Sequence, residues 1–189
     1  FSDGEARCLA ETPDGTIWVG TRQGGLSKFD GTTWTTLTTD NGLPSQSVAA
    51  LGVDPNDGSV WAGCLGSTGA LAHIVGATIT NYGPFALAPV PNVRCVAPTL
   101  SGRVWFGTDA GIGRLENGVI AEFATGTAVT AIAEGAHGEI WVGSATRGVG
   151  RFDNGVVAFL PSGPPSSSIL SLYVDPAGVL WASTSVGLG

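Results

Sequence analysis

Apolar and polar side chains alternate along the chain in short runs such as EARCLAE, VAALGVD and VTAIAE, with Gly, Pro, Asp and Asn between them. A period of two in runs this short predicts β-strands and excludes a helical class. One run recurs five times as Gly-x-(Ile/Val/Leu)-Trp-x-(Gly/Ser): GTIWVG from Gly15, GSVWAG from Gly58, GRVWFG from Gly102, GEIWVG from Gly138 and GVLWAS from Gly178. Its tryptophans, Trp18, Trp61, Trp105, Trp141 and Trp181, are separated by 43, 44, 36 and 40 residues. A unit of about 40 residues fits a four-stranded propeller blade and is too long for one coil of a β-helix.

Each unit reads the same way. An inner strand leads to a tight hairpin whose Gly supplies positive φ, and the Trp strand follows. An acid precedes the turn at Glu11, Asp54, Glu134 and Asp175, and Pro98 takes that place in the third copy. A Gly-rich turn and a third strand come next (GLSKFD, ALAHIV, GIGRLE, GVGRFD), then a fourth strand (TTWTTLT, ATITNY, VIAEFA, VVAFLP). The expectation is an all-β propeller segment: four four-stranded blades near residues 5–40, 47–84, 92–125 and 127–161, and half of a fifth at 168–189. Both faces of the Trp strand are apolar. A sheet of that kind is covered on both sides, which a row of face-to-face blades provides and a two-layer sandwich does not. Gly20, Gly63, Gly107, Gly143 and Ser183, two positions after each Trp, are expected to admit a neighbouring blade's ring.

Propellers commonly close by letting one terminus complete the blade begun by the other. Phe1 to Gly4 are too few to supply the strands missing from the fifth unit. The expectation is therefore a fragment of a longer propeller, with self-association through open blade edges as the alternative.

Composition narrows the function classes. Thirty Gly and eleven Pro agree with many turns, and the absence of a Gly-X-Y period excludes collagen. A net charge of −7 without a basic cluster argues against nucleic acid as a partner, and no apolar run approaches the roughly 20 residues of a membrane span. Cys8, Cys64 and Cys95 form neither a disulfide framework nor a zinc pattern, and read as buried small residues.

The run DGTIWVGTRQGGLSKFDGTTW from Asp14, then NGLPSQSV from Asn41 and DPNDGSVWAG from Asp54, resembles the two-component-regulator propeller repeat, with its acid, Gly, aromatic-Gly-Thr triplet, Gly-Gly-Leu turn and Gly-Leu-Pro-Ser loop. Blades three and four keep WFGTDAGIGRL and WVGSATRGVGRF; blade two departs at CLGSTGALAHI, with Cys64 at the usual Thr, and the later connections become PVPNV and PSGPPSSSI. The resemblance implies a periplasmic or extracellular sensor module that recognises small molecules, often carbohydrates. Propellers of the streptogramin-lyase type share the Gly-x-x-Trp repeat more distantly, and that resemblance implies a metal-dependent enzyme using His and Glu.

Arg22 and Arg147 lie in the loop after the Trp strand, Asp109 occupies the same loop of blade three, and Arg7 and Arg94 stand near the starts of inner strands. In a propeller those positions share one face of the disc. They are the candidate ligand-binding residues, a polar mouth offering bidentate hydrogen bonds to an anionic or hydroxylated ligand; the alternative is that each arginine is solvated or pairs with a nearby acid. His137 falls in the inner hairpin of its blade and reads as a turn residue, and His73 on a third strand reads as packing. No catalytic pair, metal site or cofactor is expected. GIGRLENG and GGLSKFDG lack the helix that a phosphate cradle needs. The expected function is non-catalytic sensing of a small-molecule or oligosaccharide ligand, with the lyase-like enzyme and a protein-interaction scaffold as alternatives.

Overall fold

Every Gly-x-x-Trp copy folds as the second strand of an antiparallel sheet. The computed structural model describes residues 5–66, 70–87, 92–164 and 166–188. Phe1–Gly4, the middle of the blade-two turn and Pro89–Pro91 of the PVPNV connection lie outside the described residues. Blade one comprises β1 (Ala6–Glu11), β2 (Ile17–Thr21), β3 (Leu26–Phe29) and β4 (Trp34–Leu37), followed by a 3-10 turn at Thr39–Asn41. Blade two comprises β5 (Val48–Val53), β6 (Val60–Cys64), β7 (Leu71–Val75) and β8 (Thr78–Tyr82). Blade three is β9 (Val93–Pro98), β10 (Val104–Thr108), β11 (Gly111–Glu116) and β12 (Val119–Ala124). Blade four is β13 (Val129–Glu134), β14 (Ile140–Ser144), β15 (Val149–Asp153) and β16 (Val156–Phe159). The fifth sheet is partial, as expected: β17 (Ile169–Val174), β18 (Leu180–Thr184) and a two-residue β19 (Gly187–Leu188). Strands within each sheet follow chain order, and the innermost strands touch in succession, β1 on β5, β5 on β9, β9 on β13 and β13 on β17. The architecture is an all-β propeller.

The turn glycines explain why the first hairpin is so constant. Gly15, Gly58, Gly102, Gly138 and Gly178 all have φ between 73° and 83°, a region that a Cβ disfavours. The N–H of each bonds back to a carbonyl at the turn's start, as Gly15 N does to Thr12 O at 2.8 Å.

Between blades, the Trp face of one sheet meets the aliphatic face of the next. Trp18 packs with Val60, Ala62 and Ile74 of blade two; Trp61 packs with Val104 and Phe106 of blade three. Trp105 meets Ile140 and Val142, and Trp141 meets Leu180 and Ala182. Trp18, Trp61 and Trp105 are 7%, 4% and 3% exposed, whereas Trp181, with no following sheet among the described residues, is 42% exposed. An indole covers roughly 150–250 Å². At ~25 cal/mol per Å² its burial is worth about 4–6 kcal/mol before the entropy of ordering, so these rings dominate the blade interfaces. The Gly-Leu-Pro-Ser loop contributes as well: Leu43 is buried in the interface between blades one and two, and Phe85 in the next.

The glycines two positions after each Trp do not admit a ring. What lies over them is the first residue of the next inner strand. A Cβ built on Gly20 would stand 2.7 Å from Val48 Cγ1, one on Gly63 2.8 Å from Val93 Cγ1, one on Gly107 2.6 Å from Val129 Cγ1 and one on Gly143 2.5 Å from Ile169 Cγ2. A register shift recurs at the start of every inner strand, for example between Val48 and Ala50 and between Val129 and Ala131. The extra residue of each bulge is the one after it (Ala49, Arg94, Thr130 or Leu170), and the β-branched residue, still paired in its own ladder as Val48 is with Cys64, lies against the preceding blade. Val48, Val93, Val129 and Ile169 are each 0% exposed.

Candidate functional site

The loop after each second strand is set by a buried hydroxyl three residues beyond the Trp. Thr21 Oγ1 donates to Gly25 O at 3.0 Å and accepts from Gly24 N at 2.8 Å. Thr108 bonds to Gly111 O and accepts from Ala110 N and Gly111 N, Ser144 donates to Gly148 O and accepts from Arg147 N, and Thr184 serves the last loop. Blade two has Cys64 instead, fully buried. These anchored loops carry Arg22, Asp109 and Arg147.

All five sequence-predicted residues lie at one end of the strands, but they form separate groups. Arg22 N bonds to Glu5 O, placing its loop beside the start of β1, and its Nη1 makes a 3.1 Å ion pair with Glu5. Arg7 reaches across to Ser47 Oγ of the next connection at 3.4 Å. Arg94 Nε bonds to Asp109 directly, and Asp109 Oδ2 also accepts from Asn92 Nδ2 at 2.6 Å. Asn92 Oδ1 in turn accepts from Gly66 N at 2.9 Å, tying blade three to the blade-two loop. Arg147 is drawn outward: Nη1 donates to Thr125 O at 3.0 Å, and its guanidinium lies 4.4 Å from the ring centre of Phe159 on the outermost strand. Asn92 was missed by sequence reasoning; its position two residues before Arg94 in a connection is the signal that could have found it.

A second regularity concerns the third strand. The cross-strand partner of the repeat Trp is Lys28, His73, Arg114 and Arg151 in blades one to four. Lys28 Nζ lies 5.7 Å from the Trp18 ring centre and the Arg114 guanidinium 5.6 Å from Trp105, within the range of cation–π attraction. The histidine instead stacks flat on Trp61, with ring centres 3.9 Å apart and planes 8° from parallel, and shares a 2.8 Å hydrogen bond with Ser59 Oγ. Burial pushes His73 below its ordinary pKa, against the opposing pull of Asp57 and Asp54. His137 sits in the β13–β14 hairpin, where its backbone N–H donates to Glu139 Oε2 at 3.0 Å. Backbone N–H groups of Glu139 itself and of His137 lower that carboxyl's pKa. Among the described residues no three His, Cys, Asp or Glu side chains gather closely enough to hold a metal ion. The cysteines are free, and burial pushes their thiols up to about 11 for Cys8 and about 12 for Cys64 and Cys95.

At the opposite end of the strands, two clefts open between neighbouring hairpins. One, of about 340 Å³, lies between blades three and four and is lined by Arg103, Arg114, Glu134 and Phe152. Glu116 pairs there with Arg103 at 2.8 Å and with Arg114 at 3.4 Å, while Arg151, which also lines it, makes no ion pair among the described residues. The other, of about 620 Å³, lies between blades one and two.

A family model described as the two component regulator propeller matches residues 1–23 and 163–185, which cover the first hairpin of blade one and its counterpart in blade five. No curated protein matches the sequence significantly. Among solved structures, the chain is similar to the extracellular domain of BT4673 from B. thetaiotaomicron, described as a hybrid two component system, with 17% identity and a TM-score of 0.83 over 97% of this chain and 26% of that one. The corresponding domain of BT3049 gives 19% identity and a TM-score of 0.79 over 97% and 27%. A virginiamycin B lyase from Staphylococcus aureus gives 19% and 0.76 over 94% and 62%. The chain thus spans about a quarter of the two extracellular domains. At these identities the likeness is one of fold. It establishes that this chain is a β-propeller, in which residues 1–23 and 163–185 match the model of the two component regulator propeller.

Proposed function

We propose that this chain is part of a ligand-sensing propeller that acts outside the cytoplasm and recognises its ligand without chemical transformation. The observation that carries the reading is the two-component-regulator repeat match, supported by the fold it shares with two extracellular domains of two component systems. The ligand face is the end of the strands bearing Arg7, Arg22, Arg94, Asp109 and Arg147. Its exposed ion pairs, such as Arg22 with Glu5, are worth roughly 0–1 kcal/mol, so exchanging them for a ligand's acceptors costs little. Guanidinium groups suit bidentate acceptors, and the ligand class is an anionic or hydroxylated small molecule such as an oligosaccharide or uronate. The histidines favour no hydrolytic or eliminating role, since His73 is held flat on Trp61 and His137 belongs to a turn.

The test is a calorimetric screen of oligosaccharides and uronates against the chain and its Arg7→Ala and Arg94→Ala variants. Affinity lost in the variants supports the mouth; a ligand whose affinity both variants leave unchanged removes it.

A further inference from the structure

The 620 Å³ cleft between blades one and two lies at the opposite end of the strands from the arginine-bearing face and is independent of it. It falls within the 300–1,000 Å³ range of small-molecule sites. Its floor is apolar, built from Trp18, Val60 and Ile74, with Pro13 and Pro55 at its sides. Its charged lining consists of Lys28 from the third strand of blade one and the hairpin carboxylates Asp14 and Asp57, one from each blade.

Several polar groups of this cleft lack a partner among the described residues. Among the described residues, Lys28 and its blade-four equivalent Arg151 make no ion pair, and Lys28 has the Trp18 ring as its neighbour, whereas the equivalent Arg114 is paired with Glu116 and the equivalent His73 is bonded to Ser59. Trp18, a floor residue 7% exposed, has its indole N–H buried with no acceptor. Asp14 Oδ1 accepts hydrogen bonds from Thr12 Oγ1 at 2.6 Å and Thr16 N at 3.0 Å, Asp57 Oδ1 accepts from Ser59 N at 2.8 Å, and both carboxylates are exposed at their hairpins. Hydrogen bonds, from the Thr12 side chain first for Asp14 and from the Ser59 side chain first for Asp57, hold both carboxyls below the usual range and keep them charged.

We propose that this cleft binds a small zwitterion with an apolar body, of the free amino-acid class. The ligand's carboxylate takes the donors of Lys28, its ammonium pairs with the carboxylates of Asp14 and Asp57, and its side chain lies on Trp18, Val60 and Ile74. A simple anion meets two uncompensated carboxylates, and a simple cation meets the lysine. Only a molecule carrying both charges offers all three groups an opposite partner.

The test titrates the chain with L-leucine by calorimetry or ligand-observed NMR, alongside N-acetyl-L-leucine, which lacks the cation, and L-leucinamide, which lacks the anion. Saturable one-to-one binding of L-leucine is expected, with both derivatives at least ~10-fold weaker. Lys28→Met and Asp57→Asn are each expected to weaken L-leucine at least ~10-fold, and Arg94→Ala on the other face to leave it unchanged. Thermal melting of the two cleft variants confirms their fold, and either one alone suffices for the reading. Absence of saturable L-leucine binding, equal binding of either derivative, or full affinity in a folded Lys28→Met protein overturns the proposal. None of these outcomes bears on the arginine face, whose own screen stands apart.

Discussion

Replacing Gly107 by Ala probes the contact on which the blade spacing rests. The added Cβ would stand 2.5 Å from Cys95 Sγ, 2.6 Å from Val129 Cγ1 and 2.7 Å from Val129 O. A thiol can rotate away, but a main-chain carbonyl in the first residue of β13 cannot move without displacing blade four. Overpacking of this kind costs about 1–3 kcal/mol, and the carbonyl places the expected cost in the upper half of that range. The gain from a less flexible unfolded chain, roughly 0.4–1 kcal/mol, offsets only part of it. Gly163, with nothing within 4 Å of a built Cβ, is the control, and Gly163→Ala is expected to stay within about 0.5 kcal/mol of the parent. Urea unfolding followed by tryptophan fluorescence reads both. Adding Val129→Ala, which removes Cγ1, is expected to recover part of the Gly107→Ala loss, giving a favourable coupling of about 0.5–1.5 kcal/mol. A Gly107→Ala protein as stable as the control refutes the reasoning.

Trp105→Ala is expected to cost about 3–5 kcal/mol, and Trp181→Ala about 2–3 kcal/mol because Trp181 is already 42% exposed; thermal melts of the two variants make the comparison. Thr108→Val strips three hydrogen bonds from a buried turn, with an expected loss of about 1–3 kcal/mol by denaturant unfolding. Bonds from the Thr32 side chain, and from the Thr33 and Thr32 backbone, lower Asp30 from 3.8 to about 2. Its folded pKa is depressed, so its contribution is complete above about pH 4 and disappears as pH falls toward 2. The stability difference between the parent and Asp30→Asn should therefore be constant at neutral pH and shrink across that window. The three thiols are expected to resist a disulfide reagent at pH 8 in the folded chain and to react on unfolding, because the thiolate is the reactive form.

Much of the fold was legible because one short string recurs at nearly even spacing. Gly-x-x-Trp specifies a hairpin whose turn needs positive φ and a ring that needs cover on the next sheet, and both requirements are local to the string. The role of the glycine two positions later was not legible. It depends on a register shift at the start of the following inner strand, which brings Val48, Val93, Val129 or Ile169 onto it, and β-branched residues open those strands without announcing a bulge. Lys28, His73 and Arg114 of the third strands were in plain view in GLSKFD, ALAHIV and GIGRLE. Their contact with the indoles became visible only once Trp18 and Lys28 were in register as cross-strand partners. Of the candidate site, the shared face was readable from blade topology. The outward swing of Arg147 was not, since it depends on where Phe159 of the fourth strand lies. The cleft at the other end was invisible for a similar reason, because its walls come from hairpins more than 40 residues apart and meet only through blade stacking.

Oxidative footprinting of the six tryptophans by hydroxyl radicals, read residue by residue by mass spectrometry, puts the stacked-blade account to its most direct test. Protection of Trp18, Trp61 and Trp105, with modification concentrated at Trp34 and Trp181, which are 46% and 42% exposed, is the predicted pattern. Uniform modification of all six, or protection of Trp181 together with exposure of Trp61 and Trp105, contradicts it.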